Sequence, residues 1–375
     1  MPKSRTLFGR PDEINLVTVD RALAEFRSGR PVLLRDGEKL ALAMSAELAD
    51  AELAGRLGDI AVGRAHLILS AARLRRIGAK GRSETGIFAM PVMDLTRIEM
   101  LALKTDGKMD APVAPASPID EAALELARLS LVLPAIVLVP VTAEAVAGEP
   151  LVEVAIAAVN AYRQAQVASL AIVGRAPVPL EGAPETEFVV FRGGEGLRDQ
   201  VAIIVGSPDL SEAVPVRLHS ACLTGDLFGS LKCDCGDQLR ETVQWMAENE
   251  GGILLYLDQE GRGNGIANKM RAYKLQSQGW DTYDADEVLG FDLDQRHFDF
   301  AAAMLKQLGV TRVTALTNNP IKVGAIKAAG VEVAATQRVL GRPNVHNVRY
   351  LASKRDRAGH AIDMDALMAR AAPKD

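Results

Sequence analysis

The chain has 375 residues, 48% of them hydrophobic and 24% charged, with a formal net charge of −5 at pH 7. That length predicts two domains, each large enough to bury its own core, and the mild acidic balance argues against a nucleic-acid partner. No apolar run is long enough to span a bilayer, and the N-terminal stretch MPKSRTLFGRPDEINL has no apolar h-region, so a soluble, cytoplasmic protein is expected, with no membrane partner.

Taken in order, VTVDRALAEF (Val17–Phe26) reads as the start of an amphipathic helix, and PVLLRDG as a short buried strand ending in a turn at Asp36–Gly37. Helices are predicted over Ala46–Leu57 and Ala65–Ile77, with Arg73, Arg75 and Arg76 of the second forming a solvated basic face. KTDGKMDAPVAPASP (Lys104–Pro118) reads as an exposed loop. Beyond it, IDEAALELARLSLVLPAIVLVPV reads as a helix running into a buried strand, and VEVAIAAVNAYRQAQ as a further helix.

The Pro-, Gly- and Glu-rich segment Gly174–Phe188 is the best boundary, predicting domains over 1–178 and 179–375. EFVVFRGG, DQVAIIVGS and VPVRLHS follow as short strands spaced as in an antiparallel sheet. A helix over Gln238–Glu248 leads to the buried strand GGILLYL. TRVTALT, NNPIKVGAIKAAG and VEVAAT form a strand–helix–strand unit with Pro320 in the helix's first turn. The fold class expected is therefore α/β (α+β) in two domains, the second a mixed sheet with helices.

All three cysteines, Cys222, Cys233 and Cys235, fall in one stretch, RLHSACLTGDLFGSLKCDCGDQ (Arg217–Gln238). An odd count without an export signal argues against a disulfide framework. Three thiolates suit an open zinc site that leaves one position for water or substrate. Two alternatives stand beside it: a closed structural site with His219 as fourth ligand, and buried cysteines with one reactive thiol. Arg217, His219, Ser220 and Lys232 would favour thiolates and meet an anionic substrate.

HSACLTGDLFGSLKCDCGDQL resembles the zinc motif of GTP cyclohydrolase II, the enzyme family that opens the guanine ring of GTP at the start of riboflavin biosynthesis. The resemblance continues in order through YLDQEGRGNGIANKMRAYKLQ (Tyr256–Gln276), Asp281–Thr282, LGFDLDQRHF (Leu289–Phe298), LTNNPIK (Leu316–Lys322) and RYLASKRDRAGH (Arg349–His360), covering about residues 190–362. It implies one zinc per chain on Cys222, Cys233 and Cys235, because zinc brings the pKa of the water it binds near neutrality and so supplies a nucleophile for C8. It implies that Tyr273 stands near the metal-bound water, that Asp294 accepts a proton, and that Arg296 acts at the α-phosphorus, where an always-charged guanidinium suits charge stabilisation better than nucleophilic attack. It places GTP against Arg217, Leu218, His219, Ser220, Gln238, Glu260, Gly261, Arg262, Thr282, Thr317 and Lys322. Gln238 and Glu260 have the groups to read a guanine edge. Magnesium is expected to accompany the triphosphate, and the resemblance implies a homodimer.

The first half resembles, in element order, the 3,4-dihydroxy-2-butanone 4-phosphate synthase domain often fused ahead of GTP cyclohydrolase II. TGIFAMPVMDLTRI and IDEAALELARLSLVLPA match two of its blocks. Its acidic metal loop is replaced by RDGEKLALAM (Arg35–Met44), and its histidine falls on Ile119, which implies a degenerate domain without synthase chemistry. Within the second half, Ala221, Asp258 and Asn264 depart from the family pattern, and an acid near a phosphate loop weakens triphosphate binding unless it points away. The departures at Ala221 and Asp258 motivate a second reading, a paralogue acting on a related heterocycle, as in pyrimidine breakdown; a third, a zinc-stabilised binding module without catalysis, is opposed by Tyr273, Asp294 and Arg296.

Overall fold

The computed structural model describes residues 11–193, 199–292, 296–339 and Arg355. The chain divides into two compact units, the first containing residues 1–165 and 267–294, the second 166–266 and 295–375.

The first unit opens with α1 (Pro11–Arg27), β1 (Val32–Asp36), β2 (Lys39–Ser45), α2 (Ala51–Ile60), β3 (Ala65–Leu69), α3 (Ala71–Ile77), β4 (Gly86–Met90) and α4 (Leu95–Ala102). It continues through β5 (Ala114–Pro115), α5 (Pro118–Leu129), β6 (Ala135–Val141), β7 (Glu153–Ala155) and α6 (Ile156–Ser169). Its sheet has the order β5-β4-β3-β6-β2-β1-β7, antiparallel except for the β1–β7 pair. Strand alternation sends Leu40, Leu42, Met44, Val137 and Val139 into a core with Leu57 of α2, Leu74 of α3 and Leu101 of α4. Ala41, Ala43, Ile136 and Leu138 face a second core with Val19 and Phe26 of α1 and Leu124 of α5. The sheet is thus buried on both faces, which is why its strands read as apolar runs.

The second unit comprises β8 (Ala171–Pro177), β9 (Thr186–Arg192), β10 (Gln200–Val205), β11 (Val214–Ser220), α7 (Cys235–Glu248) and β12 (Gly252–Leu257). After α8 (Gly265–Ser277) and α9 (Thr282–Val288) come α10 (Asp299–Gln307), β13 (Arg312–Leu316), α11 (Pro320–Ala328) and β14 (Glu332–Gln337). The sheet order is β14-β13-β11-β12-β10-β9-β8. Val243 and Met246 of α7 pack on one face with Leu254, while α10 and α11 cover the other through Phe300, Met304, Leu305 and Ile326. Pro320 stands at the start of α11 as expected, and Asn319 caps it by accepting from the Ile321 N–H at 2.9 Å.

Several sequence expectations are corrected. Ala65–Leu69 is a central strand rather than the start of a helix; a five-residue apolar run carries no period that separates the two, and the helix begins only after Ser70 caps it. The turn after Asp36 is as expected, but it is the tip of a hairpin, and KLALAM beyond it continues as β2. The three strands β9, β10 and β11 do not form one antiparallel meander: β12 lies between β10 and β11, and β11 pairs in parallel with β12 and β13. Arg73 is not part of a solvated face but is 1% exposed. The division into units also differs from the expected break at 178/179. The strand β8 belongs to the second sheet through its pairing with β9, and residues 267–294 group with the first unit.

Candidate metal and nucleotide site

Three adjacent strands, β12, β11 and β13, run parallel; β12 and β11 end opposite each other at Leu257 and Ser220, and β13 ends earlier, at Leu316, one residue past Ala315, the partner of Val216. The connection from β11 to β12 passes over one face through α7, and α10 precedes β13 on the other. In such sheets the crevice beyond the strands' carboxyl ends is where ligands bind. Cys222, Gln259–Glu260 and Thr317 follow these three strand ends.

Cys222 leaves β11 and begins a single π-turn over Leu223–Leu227, and Cys235 opens α7. The Sγ atoms of Cys222, Cys233 and Cys235 all lie within 4.8 Å of one another, and those of Cys222 and Cys233 are 3.6 Å apart. Two sulfurs on a tetrahedral zinc, each at about 2.3 Å, would stand about 3.8 Å apart. The donor set therefore suits a metal ion. Crowding pushes the free thiols up, Cys233 to about 11, mainly through its hydrogen bond with Cys222, and Cys235 upward for the same reason. Three thiolates so close need a cation to ionise together. Two glycines permit the packing. A Cβ on Gly225 would stand 2.7 Å from the Cys233 sulfur, and one on Gly236 would stand 2.2 Å from the Gly225 carbonyl oxygen.

Asp226, inside this turn, belongs to the cysteine motif, but nothing in the local sequence marks it as a functional residue. Its carboxylate accepts from the Cys222 N–H at 2.9 Å, from the Tyr256 hydroxyl at 3.0 Å and from His219 Nε2 at 3.1 Å. His219 is 3% exposed and stacks on Tyr256, and burial holds its pKa below the usual value, so it is a neutral donor to Asp226. Among the described residues the metal-competent group is the three cysteines, and His219 is not in it.

Beside the cysteines the cations converge. Arg217, 6% exposed on β11, donates from Nη1 to the Leu316 carbonyl at 3.0 Å and from Nη2 to Gln238 Oε1. Gln238 in turn donates to Asp234. Burial lowers the Arg217 pKa from its ordinary value, with Asp234 the largest opposing influence. Lys322, 7% exposed in the first turns of α11, donates to the Leu218 carbonyl at 2.6 Å. Leu218 thus offers the site its backbone, since its side chain is in the core. Arg296 Nη1 donates to Ser220 Oγ at 3.3 Å, and both Arg296 and Lys322 lie over the Phe298 ring. Thr317 Oγ1 accepts from the Asn319 N–H at 3.0 Å.

After β12, Glu260 accepts from the Leu223 N–H, joining this loop to the cysteine turn. Gly261, Arg262, Gly263 and Gly265 all have positive φ, at 62°, 61°, 87° and 84°. Three are glycines, which take that conformation without strain, whereas Arg262 is one of two non-glycine residues with positive φ among those described. Successive N–H groups turned this way make a concavity suited to an anion. Asp258, half-buried, donates its backbone N–H to Gln200 Oε1 at 2.8 Å.

Tyr273 on α8 and Thr282 at the start of α9 are half-buried in the segment grouped with the first unit, with Lys269 Nζ 5.6 Å from the centre of the Tyr273 ring. Asp294 lies outside the described residues. No described helix is long and apolar enough to cross a membrane.

The GTP cyclohydrolase II family model matches residues 171–339. A GTP cyclohydrolase-2 of Xylella fastidiosa strain Temecula1 is 45% identical over 358 residues, covering 94% of this chain and 89% of that protein. A GTP cyclohydrolase-2 of Azospirillum brasilense is 40% identical over 367 residues, covering 93% and 95%. Among solved structures, a two-domain 3,4-dihydroxy-2-butanone 4-phosphate synthase from A. baumannii covers 86% of this chain and 99% of its own at 16% identity, with a TM-score of 0.34, too low to support a conclusion.

Proposed function

The chain belongs to the GTP cyclohydrolase II family, and from that premise we propose that it hydrolyses GTP to 2,5-diamino-6-(5-phosphoribosylamino)pyrimidin-4(3H)-one, formate and pyrophosphate, the first step of riboflavin biosynthesis. The observation that carries the reading is the gathering of three cysteine sulfurs at the carboxyl end of β11, beside Arg217, Lys322 and Arg296. One group of donors suits a metal and the other a polyphosphate.

Cys222, Cys233 and Cys235 hold one zinc per chain. When bound, it supplies Lewis acidity and water of lowered pKa for attack on the guanine C8. Cys235 starts α7, where the helix dipole favours a thiolate. Asp226 fixes the turn between the ligands through the Cys222 N–H, and neutral His219 keeps it oriented. Arg217, Lys322, Arg262 and the N–H groups of the EGRGNG loop bind the triphosphate, with magnesium accompanying it, and Thr317 stands at the approach to α11. Ser220 holds the Arg296 guanidinium, which stabilises charge on the α-phosphate as pyrophosphate leaves. Gln238 and Glu260 read the guanine edge. Tyr273 positions a proton for ring opening and Asp294 accepts one. The enzyme is a cytoplasmic homodimer, and its first unit is a synthase-like domain without synthase chemistry. Ile119, at the place of the family histidine, is buried in the core.

The test is purified protein with zinc, magnesium and GTP, with formate measured and the diaminopyrimidine identified by mass. Formate and that product in equal amounts support the proposal. Turnover of another heterocycle but not GTP would replace it with the paralogue reading, and intact zinc with no turnover with the binding-module reading.

A further inference from the structure

Residues 267–292 carry Tyr273 and Thr282, and the first unit ties them down with buried groups. Arg73 on α3, 1% exposed, donates from Nε to the Leu101 carbonyl at 2.7 Å, from Nη2 to Lys104 O at 2.6 Å, and from Nη1 to Val288 O at 2.8 Å. Burial lowers its pKa to about 10, which still leaves it a cation at neutral pH. A buried guanidinium whose donors are spent on carbonyl oxygens is costly unless the acceptors are held still, so it fixes α3, α4 and the end of α9 together.

The neighbouring contacts repeat the pattern. Ser70 Oγ donates to the Gly290 carbonyl at 2.5 Å, and Gly290, at φ +84°, packs against Pro134, Ser70 and Arg73, where an added Cβ would stand 3.2 to 3.4 Å from each. Arg75 holds Glu287 Oε1 at 2.9 and 3.1 Å, and Arg75 and Arg128 approach Asp292 at 3.8 and 3.7 Å. At the other end of the segment Asn268 Nδ2 donates to Leu131 O at 3.0 Å, Arg271 pairs with Glu47, and the Arg76 guanidinium lies 4.2 Å over the Trp280 ring. Both ends and the middle are therefore anchored, through α3, α5 and the 131–134 turn.

We propose that the first unit, which has lost synthase chemistry, acts in the cyclohydrolase reaction as the holder of this segment, with Arg73 and Arg75 as positioning residues for Tyr273 and Thr282. The proposal rests on the cyclohydrolase reading above. It gives the basic run of α3 a role and makes kcat sensitive to residues nearly 150 positions before the first cysteine.

The test uses the full chain. Arg73→Met breaks the buried anchor, and Arg75→Glu breaks the half-exposed one, with less risk to folding. Each is measured for kcat and KM on formate release, zinc content, and amide hydrogen exchange of peptides over 282–292. Small displacements of a positioning group cost about ten- to a hundredfold in rate. Arg75→Glu is expected to speed exchange over 282–292 and lower kcat about tenfold, with KM changed less than kcat and zinc retained, and Glu287→Arg in the same chain to recover part of both. Faster exchange with wild-type kcat would overturn the positioning role, and unchanged exchange in both variants would overturn the anchoring. Wild-type protein that releases no formate would refute the cyclohydrolase reading instead, and the exchange comparison would still decide whether the anchors hold.

Discussion

Gly225→Ala is the smallest change that should break the metal site while leaving all three ligands in place. The added methyl would stand 2.7 Å from Cys233 Sγ, 3.0 Å from Cys222 Sγ and 3.1 Å from Cys235 Cβ. Non-bonded contacts between such atoms settle at about 3.5–4.0 Å, so the turn or two sulfurs must move by roughly 1 Å. Overpacking of this kind costs about 1–3 kcal/mol, and at 1.4 kcal/mol per tenfold that is about 5- to 150-fold in zinc affinity if the strain falls on the ligand arrangement. Competition with a chromophoric chelator reads the affinity, and thermal unfolding of the metal-free protein shows whether the fold bears the cost instead. Gly324→Ala is the control, since it lies exposed on α11 with nothing within 4 Å of the new methyl. Wild-type zinc affinity and metal-free stability in Gly225→Ala would refute the close packing of turn and sulfurs described here.

Tyr273→Phe should lower formate release about a hundredfold or more while pyrophosphate release continues, since it removes one hydroxyl and leaves the cations untouched. Parallel assays of the two products check this, and equal loss of both with zinc and GTP binding intact would contradict it. Ribulose 5-phosphate should yield no dihydroxybutanone phosphate, and product well above a blank would show that the first unit retains its chemistry. Asp120, 2% exposed, would have its pKa raised by burial, but hydrogen bonds from His66 and Ser117 outweigh that and leave it below the usual carboxylate value. A depressed folded pKa contributes stability that is present above the unfolded pKa and lost as pH falls through the folded one. Asp120→Asn should therefore cost about 1–3 kcal/mol at pH 7 and less at pH 3, read by urea unfolding; an equal cost at both would contradict the depressed, hydrogen-bonded Asp120 carboxylate.

Much of the second unit was legible because its signals are local. The cysteine spacing, the glycine-rich loop and the Asn319–Pro320 helix start each need only a few neighbouring residues, and β9, β10 and β12 stood out as apolar runs. What the sequence withheld depends on distant partners. Strand order is one such case: nothing in GGILLYL says that it will insert between β10 and β11. Arg73 is another, since its burial depends on carbonyls as far along the chain as Val288. Asp226 was hidden because an aspartate in a turn is ordinary until His219, Tyr256 and the Cys222 N–H are seen to converge on it. Leu218 shows the converse, a motif residue whose side chain belongs to the core.

The central claim is that the three cysteines hold the metal on which GTP ring opening depends. The most direct measurement strips the protein of metal with a chelator, returns zinc in steps, and follows formate release from GTP, with Cys233→Ser treated identically. Formate release should be lost on stripping and return in proportion to zinc up to one per chain, and Cys233→Ser should neither retain zinc nor recover. Metal-free protein that releases formate at the full rate, or Cys233→Ser that binds zinc fully and turns over GTP, would contradict the account.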